Sequence, residues 1–166
     1  ELAALGATIG ADVPVCLYGR PAWVGGVGEC LAPAEGLPKA DILLANPRVP
    51  LPTGPVFAAR EGAFGEPGRF APMPRDAAGL ARALGQRRND LTAAATRLVP
   101  ELPRVLARLA ALPGALIARM SGSGASAFAL FPDRAAAERA QRALAAAEPG
   151  WWCAAGSLIA ATGLSR

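Results

Sequence analysis

Between residues 115 and 161 two short apolar runs, a glycine–serine turn and an alanine-rich stretch follow one another in an order that few folds accept. Ala115-Leu-Ile-Ala-Arg119 and Ala127-Phe-Ala-Leu-Phe131 are each long enough for a buried strand, and they flank Met120-Ser-Gly-Ser-Gly-Ala-Ser126. Glycines in such a turn supply backbone conformations that other residues resist and let the main chain approach a ligand closely. Pro132-Asp133 then opens Arg134 to Ala147, which reads as a helix, and Trp151 to Ala161 follows the Pro149-Gly150 turn as a last strand.

Upstream, Asp41-Ile-Leu-Leu-Ala45 is a continuous apolar strand closed by Asn46-Pro47. Three helices are expected between it and Ala115. Asp76 to Leu84 is capped by Asp76, Leu91 to Leu98 follows Asn89-Asp90, and Pro100 to Leu112 carries Leu102, Val105, Leu106 and Leu109 at helical spacing. The whole pattern predicts an α+β fold, a ferredoxin-like antiparallel sheet with helices packed on one face. Gly62 to Pro74, rich in glycine and proline, reads as an irregular loop, and Thr53 is placed to cap a short helix from Val56 to Arg60. Ahead of these, Glu1 to Leu5 reads as a helix tail closed by Gly6 or Gly10. Val13 to Tyr18 reads as a strand in which Pro14 holds Val13 extended, and Ala22-Trp-Val24 with Glu29-Cys-Leu31 as a hairpin around Gly25 to Gly28.

Composition removes several classes of function. Apolar residues make up 52% and charged ones 18%, which is a globular balance. The net charge of +4 comes almost entirely from arginine, with Lys39 the single lysine. Arginine suits carboxylates and phosphates, but the basic residues are dispersed and show no repeated aromatic–basic pattern, which argues against nucleic acid as a partner. Histidine is absent, so Ser-His-Asp and Cys-His catalysis and histidine-held metals are excluded within this chain. Three cysteines with no CxxC spacing (Cys16, Cys30 and Cys153) support neither a zinc site nor a disulfide framework. Their apolar neighbours predict buried thiols in a reducing cytoplasm. No apolar run approaches the length of a membrane span, and no signal peptide is visible. Because the sequence begins at Glu1, it reads as a piece of a longer chain.

Two places could carry chemistry. The loop from Ser121 to Ala125 offers backbone N–H groups and hydroxyls that can surround a phosphate-like anion; a tight strand connection is its plainer role. Gly10-Ala-Asp12-Val-Pro14 sets a carboxylate at an expected helix–strand junction, where rigid elements can aim a general base. Its plainer role is to satisfy N–H groups in a turn. Asn89-Asp90 reads chiefly as a helix N-cap, Glu29 as a charged hairpin residue and Arg87-Arg88 as a solvated helix end. Of Trp151 and Trp152, one is expected to pack and the other to face outward.

In order, Gly10-Ala-Asp-Val-Pro14, Gly25-Gly-Val-Gly-Glu29, Asn46-Pro47 with Pro52-Thr53 and Val56-Phe57, Asn89-Asp90-Leu91, and Ser121-Gly-Ser-Gly-Ala125 closely resemble the C-terminal two-thirds of the GHMP small-molecule kinases. Within that superfamily the resemblance is to the branch acting on 4-diphosphocytidyl-2-C-methyl-D-erythritol, and it spans nearly the whole chain. The serine–glycine loop is shared across the superfamily; the Gly-Ala-Asp-Val-Pro and Gly-Val-Gly-Glu segments are more specific to the branch. The resemblance implies a remnant of the N-terminal kinase domain over residues 1–35 and a GHMP kinase C-terminal domain over 36–166. It further implies a cytoplasmic enzyme that uses ATP and Mg²⁺ to phosphorylate a hydroxyl of a small cytidine-diphosphate-linked polyol, a step of the non-mevalonate isoprenoid pathway.

By that resemblance Asp12 aligns with the aspartate that accepts the hydroxyl proton. Ser121, Gly122, Ser123, Gly124 and Ala125 align with the motif beside the transferring phosphate, and Thr53 matches a position close to the substrate. The family's lysine partner of the aspartate, its main phosphate loop and most of its cytosine contacts have no counterpart in this sequence. The chain is therefore expected not to transfer phosphate by itself. Two other readings stay open: a kinase for a different small alcohol, and a non-catalytic module that binds a small anion.

Overall fold

The computed structural model describes residues 2–65 and 68–158. Four strands, β3 (Asp41–Asn46), β4 (Ile117–Met120), β5 (Ala127–Phe131) and β6 (Trp152–Ser157), form one sheet in the order β4-β5-β3-β6, with every neighbouring pair antiparallel. Ahead of them, β1 (Ala22–Gly25) and β2 (Cys30–Pro33) make a separate two-stranded ribbon. Strand β3 takes a central place, paired on both sides, with Leu43 opposite Ala129 and Ala155. Alternation along the strands sends Leu43, Ala45, Ala127, Ala129 and Phe131 to one face. It sends Ile42, Phe128 and Leu130 to the other.

Helices α6 (Leu102–Ala110) and α7 (Arg134–Ala147) cover the first face. Leu102, Val105 and Leu109 form the buried stripe of α6, and each is fully inaccessible. Burying an aliphatic side chain to that extent is worth about 1.5–3 kcal/mol. Ala136, Ala137 and Ala140 let α7 lie close to the sheet, and Asp133 caps it by accepting the Ala136 N–H at 2.8 Å. Helices α3 (Thr53–Ala58) and α5 (Thr92–Leu98) pack on each other and bring Val56, Ala94 and Ala95 into the same core. The antiparallel order and the two principal helices on one face match the sequence reading. In addition, α4 (Ala77–Gly85) lies on the opposite face, where Ala77 and Leu80 meet Ala40 and Leu130. That face is itself apolar at every second residue, so it requires cover. Of the two tryptophans, Trp151 packs against the main core and Trp152 is exposed.

The expectations for the first residues need correction. Val13 to Tyr18 is a helix, α2, rather than a strand, and it follows α1 (Leu2–Ile9), which runs through Gly6. Pro14 sits in the first turn of α2, where its missing N–H would have had no intrahelical partner. A short apolar run carries no periodicity that separates helix from strand; contact with α1 decides it. A Cβ on Gly6 would stand only 2.9 Å from Val13 Cγ1, so the bare glycine lets the two helices touch. The cysteine reading also fails for two of three, because Cys16 and Cys30 are exposed and only Cys153 is half-buried. Of α2 only Pro14 is buried, and Cys30 is the exposed first residue of β2. Leu2, Leu5, Ile9, Leu17, Val24 and Val27 are likewise exposed. Glu1, Glu66-Pro67 of the expected loop and the end of the expected last strand, residues 159–161, lie outside the described residues.

Candidate active site

The serine–glycine loop joins β4 to β5 and is closed from within. Ser121 N–H donates to the Ser126 carbonyl and Gly124 N–H to the Ser121 carbonyl, both at 2.9 Å. Gly124 has φ +85°, and a Cβ there would lie 3.0 Å from Met120 Sδ and 3.2 Å from Leu51 Cδ2. Only glycine satisfies both the left-handed backbone and the crowding. Among the described residues, no acceptor meets the N–H groups of Gly122, Ser123 or Ala125. Ser121 and Gly122 are exposed. Unspent N–H groups beside two serine hydroxyls form a surface that suits a phosphate-like anion.

Three side chains from separate elements stitch this loop in place. Asn46, the last residue of β3, donates through Nδ2 to Ser126 Oγ at 2.9 Å. Thr53 Oγ1 lies 3.0 Å from Ser123 Oγ. Asn89, just ahead of α5, donates through Nδ2 to the Gly122 carbonyl at 2.8 Å and to that of Met120 at 3.4 Å. Thr53 is thus the first residue of its helix, not a cap for Val56 to Arg60; Pro52 holds the cap position, and the Thr53 hydroxyl faces the loop. Sequence reasoning missed Asn46 and Asn89 as loop partners. A polar amide at the end of an apolar strand or ahead of a helix was the only signal, and it names no partner.

Asp12 stands between α1 and α2, exposed, at the N-cap position but with no capping bond from its side chain. Its carbonyl accepts the Cys16 N–H at 3.2 Å; among the described residues its carboxylate makes no hydrogen bond or ion pair, with the serine–glycine loop or elsewhere. Its backbone surroundings are tightly built. Gly28, in the turn joining β1 to β2, has φ +117°, and a Cβ there would fall 2.1 Å from the Ala11 carbonyl oxygen. The hairpin turn therefore presses directly on the peptide that leads into Asp12. Glu29 closes that same turn by accepting the Val27 N–H at 2.7 Å. Backbone N–H groups of Glu29 and Val27 hold its carboxyl below the usual range. Asp90, next to Asn89, accepts the Gly65 N–H at 2.7 Å and pairs with Arg88 at 2.6 Å. Those contacts, the Gly65 bond foremost, lower its pKa. Among the described residues no three Asp, Glu, His or Cys side chains gather into a metal-binding group, and no helix is long and apolar enough to cross a membrane.

The split βαββαβ order, with a glycine loop between β4 and β5 and side-chain stitches around it, defines an α+β domain. Residues 69–150 match the family described as "GHMP kinases C terminal", and this part of the chain is a GHMP kinase C-terminal domain. Curated relatives that it matches include proteins named 4-diphosphocytidyl-2-C-methyl-D-erythritol kinase. The protein of that name from Paramagnetospirillum magneticum is 51% identical over 152 residues, which is 92% of this chain and 53% of the relative. That from Rhodospirillum rubrum is 46% identical over 162 residues, 98% of this chain and 53% of the relative. A crystal structure of 4-(cytidine 5'-diphospho)-2C-methyl-D-erythritol kinase superposes with a TM-score of 0.71 at 38% identity, covering 95% of this chain and 56% of that one. Homoserine kinase from Cytophaga hutchinsonii, at 19% identity and a TM-score of 0.68 over 90% of this chain and 51% of its own, shares the fold. The chain spans about half the length of the curated relatives it matches.

Proposed function

We propose that this chain is part of an ATP-dependent kinase that phosphorylates a hydroxyl of 4-diphosphocytidyl-2-C-methyl-D-erythritol, in the cytoplasm and on the non-mevalonate isoprenoid route. The observation that carries this reading is the serine–glycine loop, pinned from three elements with its outer N–H groups unspent, in a chain about half identical to kinases of that name. In this reading the loop from Ser121 to Ala125 lines the transferring phosphate, and Thr53 is the substrate-side neighbour that orients Ser123. Asp12, whose exposed carboxylate has no partner among the described residues, accepts the proton of the attacking hydroxyl. Phosphoryl transfer rests mainly on alignment and electrostatic stabilisation, which rigidly placed N–H groups supply. When bound, Mg²⁺ neutralises phosphate charge. It is commonly held through one or two carboxylates together with the phosphates, so the lack of a protein cage among the described residues is compatible with it. Residues 1–35 are the remnant of a second kinase domain in this reading, and the 166-residue chain does not turn over by itself.

The test is ATP-dependent phosphorylation of that diphosphocytidyl alcohol by the full-length gene product, with and without Asp12→Asn. Removal of a general base is expected to lower kcat by about 10²–10⁴-fold. Turnover unchanged in the Asn variant refutes the role of Asp12. Turnover of another small alcohol, but not this one, refutes the substrate.

A further inference from the structure

We infer that Asn89 is a positioning residue for phosphoryl transfer: its side-chain amide sets the shape of the serine–glycine loop through the Gly122 carbonyl. The inference rests on the proposed role of that loop. Asn89 spends each of its side-chain atoms on backbone. Nδ2 donates to the carbonyls of Gly122 and Met120, while Oδ1 accepts the Leu91 N–H at 3.0 Å. The Asn89 carbonyl accepts the Thr92 N–H, also at 3.0 Å. One side chain therefore joins the first turn of α5 to both the end of β4 and the tip of the loop.

The surrounding contacts make Asn89 a fixed point rather than a swinging group. Arg119 on β4 donates to the carbonyls of Leu84 and Arg87, holding the segment before Asn89 along the edge of the sheet. Asp90, the next residue, is tied to Gly65 and Arg88. The consequence falls on the loop's donors. With the Gly122 carbonyl held by Asn89, the Gly122–Ser123 peptide plane is oriented, and with it the outward N–H of Ser123; the plane that carries the Gly122 N–H is held by the Gly124 N–H on the Ser121 carbonyl. Gly122 has open space around it, with nothing within 4 Å of a built Cβ. No packing there would replace the lost bond. Catalytic groups displaced by about 1 Å lose on the order of 100-fold in rate.

A turn-closing role ahead of α5 and a loop-positioning role are separable by chemistry. Asn89→Ser keeps a hydroxyl able to accept a nearby N–H at the helix start but is too short to reach Gly122. Asn89→Ala loses both contacts. Two readouts on the full-length protein decide the matter: steady-state kinetics with ATP and the diphosphocytidyl alcohol, and amide exchange at Ser121 and Gly124. In both variants kcat is expected to fall about 10- to 100-fold, with KM for the alcohol within about twofold. The two loop amides are expected to exchange about fivefold faster. A Ser variant with wild-type kcat and wild-type exchange overturns the inference and leaves Asn89 as a turn residue ahead of α5, whose N-cap position is Leu91 rather than the expected Asn89-Asp90. Faster exchange with unchanged kcat also overturns it, since the loop's shape would then not govern transfer. If the parent protein phosphorylates no alcohol, the proposed function fails, and the exchange data still report whether Asn89 holds the loop.

Discussion

Replacing Glu148 tests how the sheet's two covering helices are locked together. Its carboxylate is 5% exposed, the only charged side chain among the buried described residues, and it sits at the C-terminal cap of α7. Two arginines one turn apart on α6 reach it: Arg108 through Nε at 3.0 Å, and Arg104 through Nη2. Arg104 also pairs with Glu101 and lies over the Trp151 ring, 5.4 Å from its centre. A hydrogen bond to a charged group contributes about 1.5–3 kcal/mol. Both guanidinium groups are about half exposed (50% and 54%), so screening places each bond at the bottom of that range. Two such bonds give about 3 kcal/mol for Glu148→Ala. Glu148→Gln keeps one acceptor oxygen but turns an NH₂ toward the second arginine, and is expected to cost about 2 kcal/mol. For a chain of this size each kcal/mol corresponds to about 2–4 °C, so the Ala variant should melt about 6–12 °C lower. Urea unfolding followed by far-ultraviolet circular dichroism measures it, and a double-mutant cycle with Arg108→Met isolates one contact. Because the carboxylate is buried, most of the loss should persist at high salt. A Glu148→Ala loss below about 1 kcal/mol, or one abolished by salt, would mean that the cluster acts as an ordinary surface pair and that the reasoning is wrong.

The hairpin turn against Ala11 predicts that Gly28→Ala, whose Cβ would overlap a backbone oxygen at 2.1 Å, displaces Asp12. Gly25→Ala, with its nearest neighbour at 3.5 Å, should not. In the full-length enzyme the first change is expected to lower kcat on the order of 100-fold and the second to leave it near the parent value; equal rates would sever the hairpin from Asp12. For the thiols, burial pushes the Cys153 pKa above the ordinary value of 9.0, so a thiolate-directed reagent should label exposed Cys16 and Cys30 first, and Cys153 reacting first would contradict its burial. The same shift gives a sign. Stability linked to Cys153 is complete below pH 9.0 and falls as pH rises through its elevated folded value, so Cys153→Ala should flatten the alkaline limb of a stability–pH curve.

Local chemistry alone determined most of the C-terminal sheet and its helices. The unbroken apolar run Ala127 to Phe131, the aspartates ahead of α4 and α7, and the four-residue spacing of Val105 and Leu109 on α6 each act within one element, and each is present in the structure. The glycine loop was legible for the same reason, since its backbone demands glycine wherever the strands lead. Tertiary contact decided the remainder. Val13 to Tyr18 is helical because it lies on α1 across Gly6, and α4 covers a second apolar face that strand alternation creates without naming its partner. Asn46, Thr53 and Asn89, which are 43 residues apart from first to last, meet at one loop only because β3 ends, and α3 and α5 begin, at the same edge of the fold. A side chain's type announces that it will donate a hydrogen bond; which carbonyl or hydroxyl receives it depends on distances between elements that sequence spacing does not encode.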